Sequence, residues 1–177
     1  MIEIHCKKNL KLKGIFTYRQ AARGIIIEDN KILLIFSEKF KDYKLPGGGL
    51  EKNENFEQAL LREVKEETGL SVKIESFFEE TIEFDEAQEI GMDYFKMYSK
   101  YFICKKLEKN SQIISEIGSK SMWVNIDEAI IKNKKAMLES NSPWVQRELE
   151  ILVNIKNRLF KYSLSIWMYK ILYIYYF

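Results

Sequence analysis

A chain of 177 residues, 46% of them apolar, can build one globular domain with a real core but not two of ordinary size. Its single histidine and two cysteines narrow the chemistry: a Ser–His or Cys–His relay would have only His5, and a Cys/His zinc cage lacks ligands. The net charge of +2 conceals an uneven distribution, because residues 51–90 hold thirteen of the 26 acidic side chains and four of the 28 basic ones. Such a block is either a solvated face, the commoner meaning, or a place where a cation is held.

Cys6 and Cys104 stand apart without CxxC spacing, which predicts free thiols in a reducing, cytoplasmic setting. Nothing in residues 1–14 has the apolar run of a secretion signal. Ala22–Glu28 and Lys31–Ser37 are Ile- and Leu-rich runs separated by Asp29-Asn30, the pattern of a hairpin with a tight turn. Glu38–Lys44 is polar and predicts a loop. Leu45-Pro46-Gly47-Gly48-Gly49 follows, a segment unfit for helix whose backbone can approach a ligand closely.

The period turns helical from Phe56 to Thr68, where Phe56, Leu60 and Val64 form a narrow apolar stripe with Ala59 beside them. Asn55 is placed to cap this helix with Gln58 three residues on, and Gly69 to end it. Ser71–Phe84 and Tyr94–Lys106 read as strands around an acidic loop, Asp85–Asp93. Ser121–Asn125 reads as a short last strand. Asp127–Leu138, with Asp127 as its cap, and Trp144–Phe160, with Pro143 near its start, read as helices. Interleaved elements without a regular repeat predict an α/β fold with a mixed sheet and helices on its faces. The domain is expected to span residues 1–160. Residues 161–177 form an aromatic-rich tail interrupted by Lys161 and Lys170, too broken for a membrane span and expected to be covered by the domain or by a second copy in a homodimer.

On a helix Glu63, Glu66 and Glu67 share one face, their Cβ atoms about 5–6 Å apart. Three close carboxylates repel one another, and a cation would reverse that cost. An oxygen-only donor set suits Mg²⁺ or Mn²⁺. Arg62 stands four residues before Glu66 and can orient a carboxylate through its planar fork. Spacing alone leaves both readings open, because E-x-x-E-E also decorates solvated helices.

The longer string resembles a known family. Gly48, five residues, Glu54, seven residues, Arg62-Glu63-Val64, one residue, Glu66-Glu67, one residue and Gly69-Leu70 match the Nudix box at every fixed position. With the flanking hairpin, strands and Trp123-containing strand, the resemblance extends over residues 15–160. It implies an α/β/α sandwich and a metal-dependent hydrolase cutting the phosphoanhydride of a nucleoside di- or triphosphate derivative. A nucleotide-cleansing triphosphate pyrophosphohydrolase is one specific form of this, and a weakly catalytic nucleotide sensor of the same fold is the alternative. The resemblance implies metal ligation by Glu63, Glu66 and Glu67, with the carbonyl of Gly47 joining them. Arg62 would orient a carboxylate, Glu54 would brace the loop, and Gly48 and Gly69 would serve as turn glycines. Asn53 stands where many members have Gly and tolerates the same backbone. Members acting on ADP-ribose often carry a proline near the position of Phe84–Asp85, and this chain has none there.

The general base is not fixed by the box. Glu116 is the first choice outside it, followed by Glu86 and Glu89. Asn141, in Asn141-Ser142-Pro143, resembles an Asn-x-Pro segment that some relatives place near the base and is assigned to substrate binding. Tyr94, with Phe95 and Tyr98, could stack on a nucleobase, although strand aromatics are more often core. The sequence shows no continuous basic–aromatic stripe, so a nucleotide-type small molecule is expected as partner rather than a stable nucleic acid.

Overall fold

The computed structural model describes residues 1–6, 9–107, 114, 118–139 and 144–158. Glu116, Asn141, Pro143 and the tail at 161–177 lie outside the described residues. The strands are β1 (Ile2–His5), β2 (Phe16–Glu28), β3 (Lys31–Ser37), β4 (Tyr43–Lys44), β5 (Gly47–Gly49), β6 (Val72–Glu86), β7 (Tyr94–Lys106) and β8 (Ser119–Val124). The helices are α1 (Phe56–Thr68), α2 (Ile126–Glu139) and α3 (145–158).

The sheet runs in the order β1-β6-β7-β2-β3-β4, with β5 added to β2 and β8 to β3. It is mixed: β1 lies parallel to β6 and β2 to β7, while the remaining pairs are antiparallel. Asp29 and Asn30 both adopt positive φ, 49° and 59°, which the tight turn between β2 and β3 requires.

Alternation along the strands divides the core in two. On one face Leu60 and Val64 of α1 pack with Ala22, Ile26, Leu33 and Phe102. On the other, Ile25, Leu34, Tyr43, Tyr101 and Leu45 meet Ala129 and Ile130 of α2 and Ile151, Leu152 and Ile155 of α3. This is the α/β/α layering expected. No helix among the described residues is long and apolar enough to cross a membrane.

Three local expectations are corrected. Strand β2 begins at Phe16 rather than Ala22, because Phe16–Ala21 pairs with Tyr94–Ser99 of β7 and not with a sequence neighbour. The polar segment Glu38–Lys44 is not all loop, because Tyr43–Lys44 pairs with Ile35–Phe36 as β4, and Gly47–Gly49 just after it hydrogen-bonds to Ala21–Arg23 as β5. Helix α2 is capped by Asn125, whose Oδ1 accepts from the Asp127 amide at 2.8 Å, so Asp127 lies inside the first turn.

Candidate active site

Helix α1 is anchored at both ends as its sequence prescribes. The Asn55 side chain accepts from the Gln58 amide at 2.9 Å, and Gln58 Oε1 accepts from the Asn55 amide at 3.0 Å, a reciprocal box. Gly69 closes the helix with φ of 74°, its amide donating to Lys65 O. With the apolar stripe buried, the face carrying Glu63 and Glu66 turns toward β5 and the loop after it.

Arg62 organises this face. Its Nε and Nη2 form a bidentate pair with Glu54 at 2.8 and 2.9 Å, and Nη2 also donates to the Gly49 carbonyl at 3.0 Å. Nη1 donates to Glu63 at 2.9 Å and to Glu66 at 3.0 Å. Hydrogen bonding from Arg62, with a further bond from the Glu51 amide, lowers the Glu54 carboxyl to about 2. Burial moves the Glu63 carboxyl the opposite way, upward, against the pull of Arg62. Asn53 enters the loop at φ of 71°, the conformation its amide tolerates.

Glu67 points inward and is 7% exposed. Its Oε2 accepts from the Gly47 amide at 2.8 Å and its Oε1 from Lys44 Nζ at 2.7 Å. The Gly47 peptide is held from the other side too, since Arg23 Nη1 donates to its carbonyl at 2.6 Å. That double grip requires φ of 132°, and a Cβ there would lie 2.2 Å from the Ala22 carbonyl oxygen. Gly48 leaves room of a different kind: a Cβ would lie 2.4 Å from the carboxyl carbon of Glu63.

Among the described residues no three carboxylates converge tightly enough to enclose an ion in this arrangement; Arg62 and Lys44 hold them instead. The donor set nevertheless fits a hard divalent cation. Carboxylate oxygens of Glu63, Glu66 and Glu67 and the Gly47 carbonyl are all oxygen donors, and the Cβ-free space at Gly48 lets the Glu63 carboxyl lie against the backbone.

On the sheet's other face a cavity of about 270 Å³ has Phe95, Met97 and Trp144 among its walls, with Arg23, Arg147 and Glu83 beside them. Arg147 donates to Glu83 at 2.5 Å and to Glu148 at 3.1 Å; burial opposes its charge, and the two carboxylates sustain it. Glu148 also accepts from the Leu45 amide at 2.9 Å. Arg23 therefore touches both the cavity and the Gly47 carbonyl, linking the cavity to the carboxylate face.

The residues singled out from the sequence are not all brought together. Arg62, Glu54, Glu63 and Glu66 form one hydrogen-bonded group, and Glu67 joins through the Gly47–Gly49 strand. Tyr94 is distant, six strand residues and about 20 Å from the level of Gly48. It is 8% exposed and stacked on Phe16, which places it in the packing. Glu86 pairs with Tyr94 at that same end. His5 stacks on Phe84 and bonds to Glu3, and burial pushes the Cys6 and Cys104 thiols up to about 12. Lys44, Arg23, Arg147 and Glu148 escaped the sequence reading. They lie on three elements far apart in sequence, β2, β4 and α3, and only the segment just before Pro46 gave a signal for one of them, Lys44.

A mixed sheet between helix layers, with a capped helix presenting glutamates beside a glycine turn, defines a family-level architecture. The family model described as NUDIX domain matches residues 18–147, and the chain belongs to that family. An ADP-ribose pyrophosphatase of Methanocaldococcus jannaschii is 44% identical over 81 residues, covering 41% of this chain and 48% of the relative. The chain thus spans about half the length of that protein. An 8-oxo-dGTP diphosphatase of Buchnera aphidicola is 30% identical over 115 residues, covering 63% of this chain and 80% of the relative. Among solved structures, a NUDIX hydrolase from Nitrosomonas europaea superposes with a TM-score of 0.56 at 25% identity, covering 76% and 87% of the two chains.

Proposed function

We propose that the protein is a divalent-metal-dependent hydrolase that cleaves the phosphoanhydride of a nucleoside di- or triphosphate derivative. The observation that carries this reading is the Arg62 fork, which gathers Glu54, Glu63 and Glu66 beside the Gly47–Gly49 backbone. A solvated helix face has no need of such a hub.

In this reading Glu63, Glu66, Glu67 and the Gly47 carbonyl hold Mg²⁺, or Mn²⁺ in its place. The bound cation supplies neutralisation of the pyrophosphate and a water of lowered pKa. Arg62 fixes two of the carboxylates, and Glu54 fixes Arg62. With Glu67 engaged by the cation, the Lys44 ammonium that now bonds to it would be released to face a phosphate oxygen. Arg23 holds the Gly47 carbonyl in place, and the cavity beyond it receives the nucleoside end. Glu116 is the proton acceptor from the attacking water, and Asn141 contributes to substrate binding. Tyr94 contributes only by supporting Phe16. The names of the two curated relatives set the substrates to test first, ADP-ribose and 8-oxo-dGTP; the absence of a proline near Phe84 favours the triphosphate.

The test is a nucleotide panel incubated with Mg²⁺ and scored for phosphate and pyrophosphate release. Glu66→Gln and Glu67→Gln are expected to lose at least a hundredfold in turnover while keeping the wild-type circular dichroism spectrum. Wild-type turnover in both variants would refute the ligand assignment.

A further inference from the structure

Helix α1 covers only part of its face of the sheet. Its apolar stripe packs on β2 from Ala22 onward, and residues 16–20 of that strand run beyond the helix start. On this uncovered stretch Phe16 is 42% exposed and Tyr18 49%. The parallel register sets Phe16 beside Tyr94, Tyr18 beside Lys96 and Gln20 beside Tyr98, so their side chains share one face.

Cations are interleaved with these rings. Lys96 Nζ lies 5.7 Å from the Phe16 centroid and 5.9 Å from that of Tyr18. Lys100 Nζ lies 4.7 Å from Phe56 and 6.0 Å from Tyr98. Neither ammonium forms an ion pair among the described residues, and four strand residues separate them, about 13 Å. An open depression of about 600 Å³ continues from Tyr18 and Gln20 past Gly49 to Glu63.

We infer that this face binds a single-stranded polynucleotide, with bases stacked on Phe16 and Tyr18 and phosphates against Lys96 and Lys100. Exposed rings supply stacking that any base satisfies, and unpaired ammonium groups supply the backbone charge. A second copy of the chain fits less well, because a two-fold contact lays the patch on itself and brings four like-charged ammonium groups, Lys96 and Lys100 of each copy, into one interface. The inference goes beyond the hydrolytic reading and stands whether or not a nucleotide is cut.

The experiment follows fluorescence anisotropy of a labelled eight-nucleotide deoxyadenylate strand with the full chain, in EDTA so that no cation bridges at the carboxylates. Two neutralised phosphates predict about sevenfold weaker binding at 200 mM than at 50 mM salt. Tyr18→Ala is expected to weaken binding about tenfold and Tyr18→Phe to leave it unchanged. Replacing both Lys96 and Lys100 with Ala should flatten the salt dependence. Thermal unfolding of each variant verifies its folding, and the retained ring in Tyr18→Phe separates stacking from structural damage. Absence of binding, or binding indifferent to these substitutions, overturns the inference. So does a concentration-dependent dimer, formed without the oligonucleotide and lost in Tyr18→Ala.

Discussion

Replacing Gly48 with alanine separates the site from the fold. The added Cβ would lie 2.4 Å from Glu63 Cδ and 2.4 and 2.5 Å from its two carboxylate oxygens. Ordinary contact begins near 3.4 Å, so the Glu63 carboxyl must retreat by about 1 Å. Misplacement of a reacting or ligating group by 1 Å costs about a hundredfold in rate. The cost to stability is small, because the atoms that yield are the end of a flexible side chain. The lost Arg62–Glu63 hydrogen bond, about 1–2 kcal/mol, is offset by about 0.4–1 kcal/mol from a stiffer unfolded chain. Gly47→Ala is the contrasting variant. Its Cβ meets the Ala22 carbonyl at 2.2 Å and the Arg23 Cα at 2.9 Å, backbone atoms that cannot swing away, at φ of 132°. We expect a loss of about 3 kcal/mol or more there. Thermal unfolding by circular dichroism and Mg²⁺-dependent kinetics on the best substrate of the panel decide the matter. Gly48→Ala should unfold within a few degrees of wild type and lose about a hundredfold in kcat. Undiminished turnover in folded Gly48→Ala would refute the role given to Glu63, and an unchanged midpoint in Gly47→Ala would refute the strain argument.

Arg62→Lys keeps the charge but not the fork; one ammonium cannot reach Glu54, Glu63, Glu66 and the Gly49 carbonyl together, so kcat should fall at least tenfold while Arg62→Lys remains folded. Glu54 ionises near 2 in the native state against an ordinary 4.5, so its contribution is fully present above pH 4.5 and lost as pH falls toward 2. The melting-temperature gap between wild type and Glu54→Gln should therefore be constant at neutral pH and close across that acidic window; a gap unchanged with pH would contradict the pairing. Arg147→Met strands Glu83 and Glu148 in the interior and should cost about 3–5 kcal/mol in urea unfolding. Adding Glu83→Gln to Arg147→Met should restore part of that loss, which an additive pair would not do.

Much of the carboxylate face was legible because it is local. Caps, the αL glycine and the carboxylate spacing all act within one helical turn or two, and the Asn55–Gln58 box and Gly69 appear in the structure as their spacing implied. The hairpin turn at Asp29-Asn30 was equally local. The first half of β2 was not, because Phe16–Ala21 is a strand only by virtue of Tyr94–Ser99, nearly eighty residues away. Tyr94 meets the same limit: alternation assigns it a face, but Phe16, which stacks on it, belongs to a distant strand. Lys44 was a polar loop residue until the strand at Gly47–Gly49 brought Glu67 beneath it.

The acidic block at residues 51–90 shows where the two levels divide. By itself the sequence determined the helix, its ends, the shared face of Glu63, Glu66 and Glu67, and the family, since each depends on fixed spacings along one stretch of chain. Tertiary structure alone decided which acids work together. It set Arg62 among Glu54, Glu63 and Glu66, turned Glu67 onto the Gly47 amide, and buried Glu83 against Arg147 on the opposite face. It also drew Phe16, Tyr18, Lys96 and Lys100 into one platform from two strands far apart in sequence. Hydrogen-bond partners and burial are properties of position in space, and no periodicity along the chain encodes them.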